Sequence, residues 1–173
     1  VTSTTSNRGA INTLSSTTTS TPPTQEELNR FVWGPLLWRI LHKLCEYQVK
    51  IQRHPGTMNA REQLGISTNL WGLIRRLIET IPCATCREHA FYEHANASKL
   101  VLTQSQGLRH WVNGFHNKVN VRLGRSEWSI NPTLAWVSAV NILSTFDDYM
   151  KAIQYPENST IKAKLREDIM KYM

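Results

Sequence analysis

The sequence predicts an all-α bundle. Apolar residues recur at three-and-four spacing in successive segments, no stretch alternates apolar and polar residues as a strand does, and proline-bearing turns separate the segments. There is no internal repeat. Residues 1 to 23 are dominated by Thr, Ser and Asn and end in Pro22-Pro23, a composition that buries nothing and reads as a flexible tail. This segment has neither the apolar centre of a signal peptide nor the arginines of a transit peptide, and Val1 in place of methionine fits a processed or trimmed start.

Each element has its own signal. Thr24-Gln25-Glu26-Glu27 reads as a capping box opening a first helix, interrupted or restarted at Gly34-Pro35, with Leu37, Ile40, Leu41 and Leu44 as its buried stripe. After the turn-rich His54-Pro55-Gly56, a second helix carries Leu70, Leu73, Ile74, Leu77, Ile78 and Ile81. A third begins at Pro82, with the proline at its first position. The fourth, roughly 104 to 123, places Leu108, Trp111, Val112, Phe115, Val119 and Leu123 on one face. Asn131-Pro132 starts a fifth from Thr133 to about Tyr155, and Pro156 opens a last, charged helix.

With 173 residues, 40% of them apolar, the chain has room for one domain with a sizeable core, and no apolar run is long enough to span a bilayer. The formal charge of +7 comes from scattered Lys and Arg often accompanied by acids, as in Arg166-Glu167-Asp168, which reads as a solvated basic surface. Without a reading motif or a basic-aromatic patch, nucleic-acid binding ranks last among its functions. Three cysteines cannot all pair within the chain, which excludes a multi-disulfide scaffold.

Chemistry concentrates in Pro82-Cys83-Ala84-Thr85-Cys86. A cysteine in the first turn of a helix lies near unpaired backbone N–H groups that stabilise its thiolate, and two cysteines at i and i+3 share a face, close enough for a small, reactive disulfide. Cys83, Cys86, His89 and His94 could instead hold zinc, although four ligands compressed on one helix surround an ion poorly. On the fourth helix, His116, Asn117 and Asn120 stand among core-facing apolar residues and need hydrogen-bond partners. Together with Trp38 and His42, one turn apart on the first helix, they point to a bound aromatic ligand; for each residue alone, simple core packing is an equal reading.

At these residues the chain resembles a known family, the FAD-dependent sulfhydryl oxidases of the Erv/ALR type and in particular their compact viral members. The resemblance runs from about Trp33 to Trp128 in three ordered blocks. Gly34-Pro35-Leu36-Leu37-Trp38-Arg39-Ile40-Leu41-His42 is similar to the family's Gly-Arg-x-x-Trp-x-x-Leu-His, Cys83 to Cys86 is the redox block, and His116 to Arg125 is similar to His-Asn-x-Val-Asn-x-x-Leu-Gly-Lys. Pro35 replaces an arginine, Arg125 replaces a lysine, and Glu46 stands where a tyrosine is expected, with Tyr47 adjacent. No second cysteine pair is present to act as an internal relay.

The resemblance implies a helical bundle of four to five helices around FAD, with additional C-terminal helices. It divides the chain into the tail 1–23, an oxidase domain 24–130, and an extension 131–173 that packs on the domain or forms a dimer interface. A substrate dithiol would attack the Cys83–Cys86 disulfide at Cys83, leaving Cys86 as the flavin-side thiolate, and electrons would pass through FAD to oxygen, giving hydrogen peroxide. The implied cofactor contacts are Gly34, Trp38, His42, Tyr47, His116, Asn117, Val119, Asn120, Arg122, Leu123, Arg125 and Trp128, with Arg122 and Arg125 facing the phosphates, and no metal. Implied partners are a dithiol substrate or a separate relay protein, oxygen, and a second copy of the chain, with no membrane. A viral origin, in host cytoplasm or virion, is favoured over the mitochondrial intermembrane space. His89 and His94 are read either as tuning the thiolate or lining the pocket, or as facing solvent. Cys45 is read as a buried inert thiol or as a partner-linked one. The alternative function is a non-catalytic helical adaptor that uses the cysteine pair for zinc or a partner.

Overall fold

The computed structural model describes residues 25–129 and 136–173, with side chains from Asn29 onward. The expected tail, Thr24 and the expected helix start at Asn131, Pro132 and Thr133 lie outside the described residues, as does the side chain of Glu27. All regular structure among the described residues is helical: α1 (Gln25–Arg53), α2 (Ala60–Glu79), α3 (Ala84–Ala95), a 3-10 turn (Lys99–Leu102), α4 (Gly107–Arg122), α5 (Ile142–Ala152) and α6 (Thr160–Met170).

The spine is α1, about 43 Å long at 1.5 Å per residue, packed chiefly against α5 and α4 and also against α2. It runs unbroken through Pro35, against the expected restart. A proline inside a helix forfeits the hydrogen bond to the carbonyl four residues back. Here Phe31, Val32 and Pro35 all face outward, so the carbonyl freed at Phe31 sits at the surface. On the inner side, Leu37, Ile40, Leu41 and Leu44 are buried against Leu70, Leu73, Ile74 and Leu77 of α2 and Leu108 and Val112 of α4 in one cluster.

Helix ends correct several expected boundaries. Asn59 and Glu62 form a reciprocal capping box that opens α2. The third helix begins at Ala84, because Cys83 itself is the N-cap, its Sγ accepting the Cys86 N–H at 3.2 Å; Pro82 lies outside the helix. The fourth starts at Gly107 instead of 104, since the 3-10 turn occupies the preceding segment. A side chain at Gly107 would meet the Val101 carbonyl at 2.3 Å, so that close approach requires glycine. Gly124, at φ 68°, ends α4 in the left-handed conformation. The single expected helix from Thr133 to Tyr155 is divided, since the Asn141 side chain accepts the Ser144 N–H and caps α5 afresh. The last helix starts at Thr160 under a Ser159 cap, four residues after Pro156.

Two buried polar devices hold the bundle. Gln48 donates to Ser67 Oγ and to the Val101 and Leu102 carbonyls, and accepts the Leu108 N–H at 2.9 Å, tying α1 to the 3-10 turn and to the start of α4. Asp168 anchors α6 by accepting from Arg76 of α2 at 2.7 Å and from Lys171 at 2.6 Å. Burial disfavours the charge on Asp168, but the hydrogen bonds from Lys171, Arg76 and Lys164 outweigh it and hold the carboxyl well below the usual carboxylate range. The C-terminal segment covers the bundle: Ile142, Phe146, Tyr149 and Met150 of α5, and Leu165 and Ile169 of α6, join the same core cluster.

Candidate functional site

A cavity of about 870 Å³ opens between α1, the end of α2, the start of α3, α4 and the segment 136–148. That volume lies within the range of roughly 300–1,000 Å³ usual for small-molecule and cofactor sites. Its walls are apolar for the most part, from Leu37, Leu41, Ile78, Ile81, Ala90 and Phe115. Among the described residues, three buried side-chain polar atoms have no hydrogen-bond partner: Arg30 Nε, Trp33 Nε1 and Asn120 Nδ2. All three residues line this cavity. Buried donors are ordinarily paired, so three orphans on residues that line one void mark a wall able to turn donors toward a polar guest.

One wall carries a disulfide. Cys83 and Cys86 are joined as a disulfide, with Cα atoms 5.2 Å apart, and Cys86 lines the cavity while Cys83 caps α3 beside it. Opposite stands an aromatic cluster: Trp38 stacks on His116 with centroids 4.0 Å apart and planes 9° from parallel, and meets Phe115 edge-on. His42 lies behind this pair, its Nε2 3.0 Å from His116 Nδ1. One ring must donate and the other accept, so at least the accepting ring is neutral. Burial and then the neighbouring His116 lower the His42 pKa to about 3, and burial and then Arg125 lower that of His116 to about 4.

At the mouth, Arg30, Arg39 and Arg125 supply positive charge. Arg39 sits one turn beyond Pro35 on α1, so charge is present although the expected arginine at 35 is not. The fit with a flavin dinucleotide is therefore chemical as well as volumetric: stacked rings for an aromatic system, unpaired donors for its polar edge, and guanidinium groups for a pyrophosphate.

Of the residues singled out from sequence, Gly34, Trp38, Cys86, His116, Val119, Asn120, Leu123, Arg125 and Trp128 come together on this cavity. His42 and Cys83 stand directly behind its lining. Three others do not line it. Asn117 brackets the Trp128 backbone, accepting its N–H at 2.8 Å and donating to its carbonyl at 2.9 Å, which sets the Trp128 ring 4.7 Å from His116. Arg122 is exposed and hydrogen-bonds to His89 of α3. Tyr47 faces a separate groove and meets Tyr172 edge-on at 5.2 Å, because it lies one position off the inward face of α1.

His89 is exposed, whereas His94 is buried, stacked on Trp71 at 3.8 Å with Nε2 3.1 Å from the Trp71 carbonyl. Burial lowers the His94 pKa, with the Trp71 carbonyl opposing. With His94 turned to Trp71 and the cysteines joined to each other, the four residues of the zinc alternative do not share a site. Sequence reading missed Arg30, Trp33, Trp136 and Asp148 as lining residues. Trp33 stands only at the start of the resemblance, Trp136 falls in the C-terminal extension, and nothing in the sequence marked the others.

Residues 35–139 match the Erv1 / Alr family. The chain belongs to the Erv1/Alr family. Among relatives of this Erv1/Alr protein, the "FAD-linked sulfhydryl oxidase" of a warthog isolate of African swine fever virus is 31% identical over 76% of this chain and 94% of its own length. The protein of the same name from a tick isolate is 30% identical over the same shares. The 347L protein of Invertebrate iridescent virus 6 is 26% identical over 57% of this chain and 86% of its own. No solved structure matches the chain significantly. No helix among the described residues is long and apolar enough to cross a membrane.

Proposed function

We propose that this Erv1/Alr chain is a FAD-dependent thiol oxidase that makes disulfide bonds in other proteins. The observation that carries the reading is the Cys83–Cys86 disulfide, with Cys86 in the wall of a cavity that is also lined by three residues carrying unpaired buried donors. Trp38, His116 and Asn120 would hold the isoalloxazine system, and Arg30, Arg39 and Arg125 the pyrophosphate. The bound flavin supplies the two-electron relay to molecular oxygen, so that the net reaction is 2 R–SH + O2 to R–S–S–R + H2O2.

The chain's own residues do the thiol chemistry. A substrate thiolate attacks Cys83 Sγ, forming a mixed disulfide and releasing Cys86 as a thiolate at the cavity wall. The second substrate thiol, deprotonated, then attacks the substrate sulfur and releases Cys83 as a thiolate, which the Cys86 N–H and the start of α3 stabilise. Two substrate thiols thus leave as one disulfide, two protons are lost to solvent, and two electrons rest on the cysteine pair. His42 and His116, neutral at working pH, hold the Trp38 stack without adding charge to the apolar wall.

Cys45 is buried and unpaired, and burial followed by the adjacent Glu46 raises its thiol pKa, so it is no relay. Electrons therefore enter from a dithiol substrate or a separate relay protein. A homodimer, working in host cytoplasm or virion, belongs to the same proposal; the viral relatives support the viral setting. The test is the visible spectrum of the purified protein, followed by oxygen uptake with dithiothreitol for the native chain and Cys86→Ser. Flavin bands and uptake lost in the variant are expected. A colourless protein that also fails to bind added FAD would overturn the reading.

A further inference from the structure

The link that aims the cysteine pair is fixed from outside the family-matched stretch. Thr80 is the C-cap of α2, and Ile81 and Pro82 alone separate it from Cys83. The Thr80 hydroxyl donates its one hydrogen to the Leu77 carbonyl at 2.6 Å, so the contact at 2.9 Å with Tyr149 must be donated by the tyrosine. Tyr149 is fully buried on α5, and residues 35–139 are those that match the family. Burial keeps its hydroxyl protonated, with Thr80 opposing and Tyr155 assisting, so it remains a donor throughout the working pH range.

A buried tyrosine hydroxyl ordinarily finds some partner. What distinguishes this one is where the partner stands. Beyond Thr80, the Ile81 N–H is held by the Ile78 carbonyl at 3.1 Å, the Ile81 carbonyl accepts from Arg87 Nη1 at 2.6 Å, and Pro82 has a fixed φ. Hydrogen bonds on both sides of Ile81 and the proline ring therefore restrict the link, and Tyr149 adds an anchor from α5 at its α2 side. Ile81 and Cys86 both line the cavity, so a shift of the link moves the cysteine pair relative to it.

We propose that Tyr149 is a positioning residue for the redox pair: through Thr80 it fixes the α2–α3 link and so holds Cys83 at the N-cap, where the Cys86 N–H meets its sulfur. The purpose assigned to the pair rests on the thiol-oxidase reading, but the positioning does not. Loosening the link lets the Cys83 sulfur leave that N–H, and its thiolate loses stabilisation.

The test reduces the full-length protein and follows iodoacetamide labelling of Cys83 against pH by tandem mass spectrometry, with thermal melts alongside. Tyr149→Phe keeps the ring, and its labelling midpoint is expected to move up by about half a unit or more, roughly a threefold smaller thiolate fraction at neutral pH. Thr80→Val should reproduce this shift and carries the test if Tyr149→Phe does not fold, whereas Thr80→Ser, which retains the hydroxyl, should keep the native profile. Melting temperatures that fall while the labelling midpoint stays native in both Tyr149→Phe and Thr80→Val would overturn the proposal, leaving Tyr149 a packing residue. Labelling needs no flavin, so failure here is distinct from failure of the oxidase reading, which the spectrum and oxygen uptake decide.

Discussion

Replacing Asn120 by leucine should strengthen the empty protein and weaken its hold on flavin. Asn120 is 2% exposed and its Nδ2 has no partner, so the free protein bears a desolvated donor. An unmade buried hydrogen bond costs about 1–3 kcal/mol. Leucine has the same branching and heavy-atom count with no polar atom, and its larger volume can enter the adjoining cavity, so the apoprotein of Asn120→Leu is expected to match the native one or exceed it by up to about 2 kcal/mol. For a chain of this size that is a rise in Tm of up to about 8 °C. The same donor would be satisfied by FAD, and its loss should weaken FAD binding by roughly 1–3 kcal/mol, about 5- to 150-fold in Kd. Circular dichroism melts of apoprotein and titration of flavin fluorescence give the two readings. A fall in apoprotein Tm beyond about 4 °C, or a Kd unchanged within about twofold, would show that Asn120 is an ordinary structural amide and refute the argument from orphaned donors.

Other sites give sharp expectations. Gln48→Leu leaves the Leu108 N–H and Val101 carbonyl buried without their partner, so a net loss of about 2–4 kcal/mol is expected after the gain from a buried leucine, read as a Tm lower by roughly 4–16 °C; an unchanged melt would mean that water replaces the amide. The folded-state pKa values of His42 and His116 lie below the unfolded value of 6.5, so the unfolded chain binds more protons in acid. Their stability contribution is complete above about pH 6.5 and is lost as pH falls from there through about 4 and 3. Apoprotein melts between pH 7.5 and 4 should show this decline, and His42→Gln should flatten it. Asp168, depressed below its unfolded 3.8, adds a loss only as pH falls below that value. Asp168→Asn should raise amide hydrogen exchange across residues 160–170 at neutral pH while leaving α1 protected, since it frees Arg76 and Lys171 from α6's anchor; uniform exchange throughout the chain would contradict a local role.

Much of the cavity lining was legible because it is written in local spacing. The i, i+3 cysteines, Trp38 and His42 one turn apart, and His116 and Asn120 one turn apart each state a shared helix face without tertiary information. What failed was direction at the margins of faces. Asn117 and Arg122 are close in sequence to His116 and Asn120, but the helix turns about 100° per residue, which is enough to send one to the Trp128 backbone and the other to His89. Tyr47, adjacent to the expected position, fails for the same reason. Helix boundaries failed where a side-chain cap outweighed proline as a signal: Cys83, Asn141 and Ser159 cap their helices.

The sequence by itself determined the all-helical class, the inward stripes of the helices and the cysteine pair that the fold joins as a disulfide, because helical periodicity and cysteine spacing are local properties of the chain. Only the tertiary structure decided that Arg30, Trp33 and Asn120, each with one unpaired buried donor, line one cavity, that Arg39 brings charge where Pro35 has none, and that Tyr149 reaches back to the link before Cys83. These depend on where separate helices cross, and a crossing is set by the packing of whole faces, which no single stretch of sequence encodes.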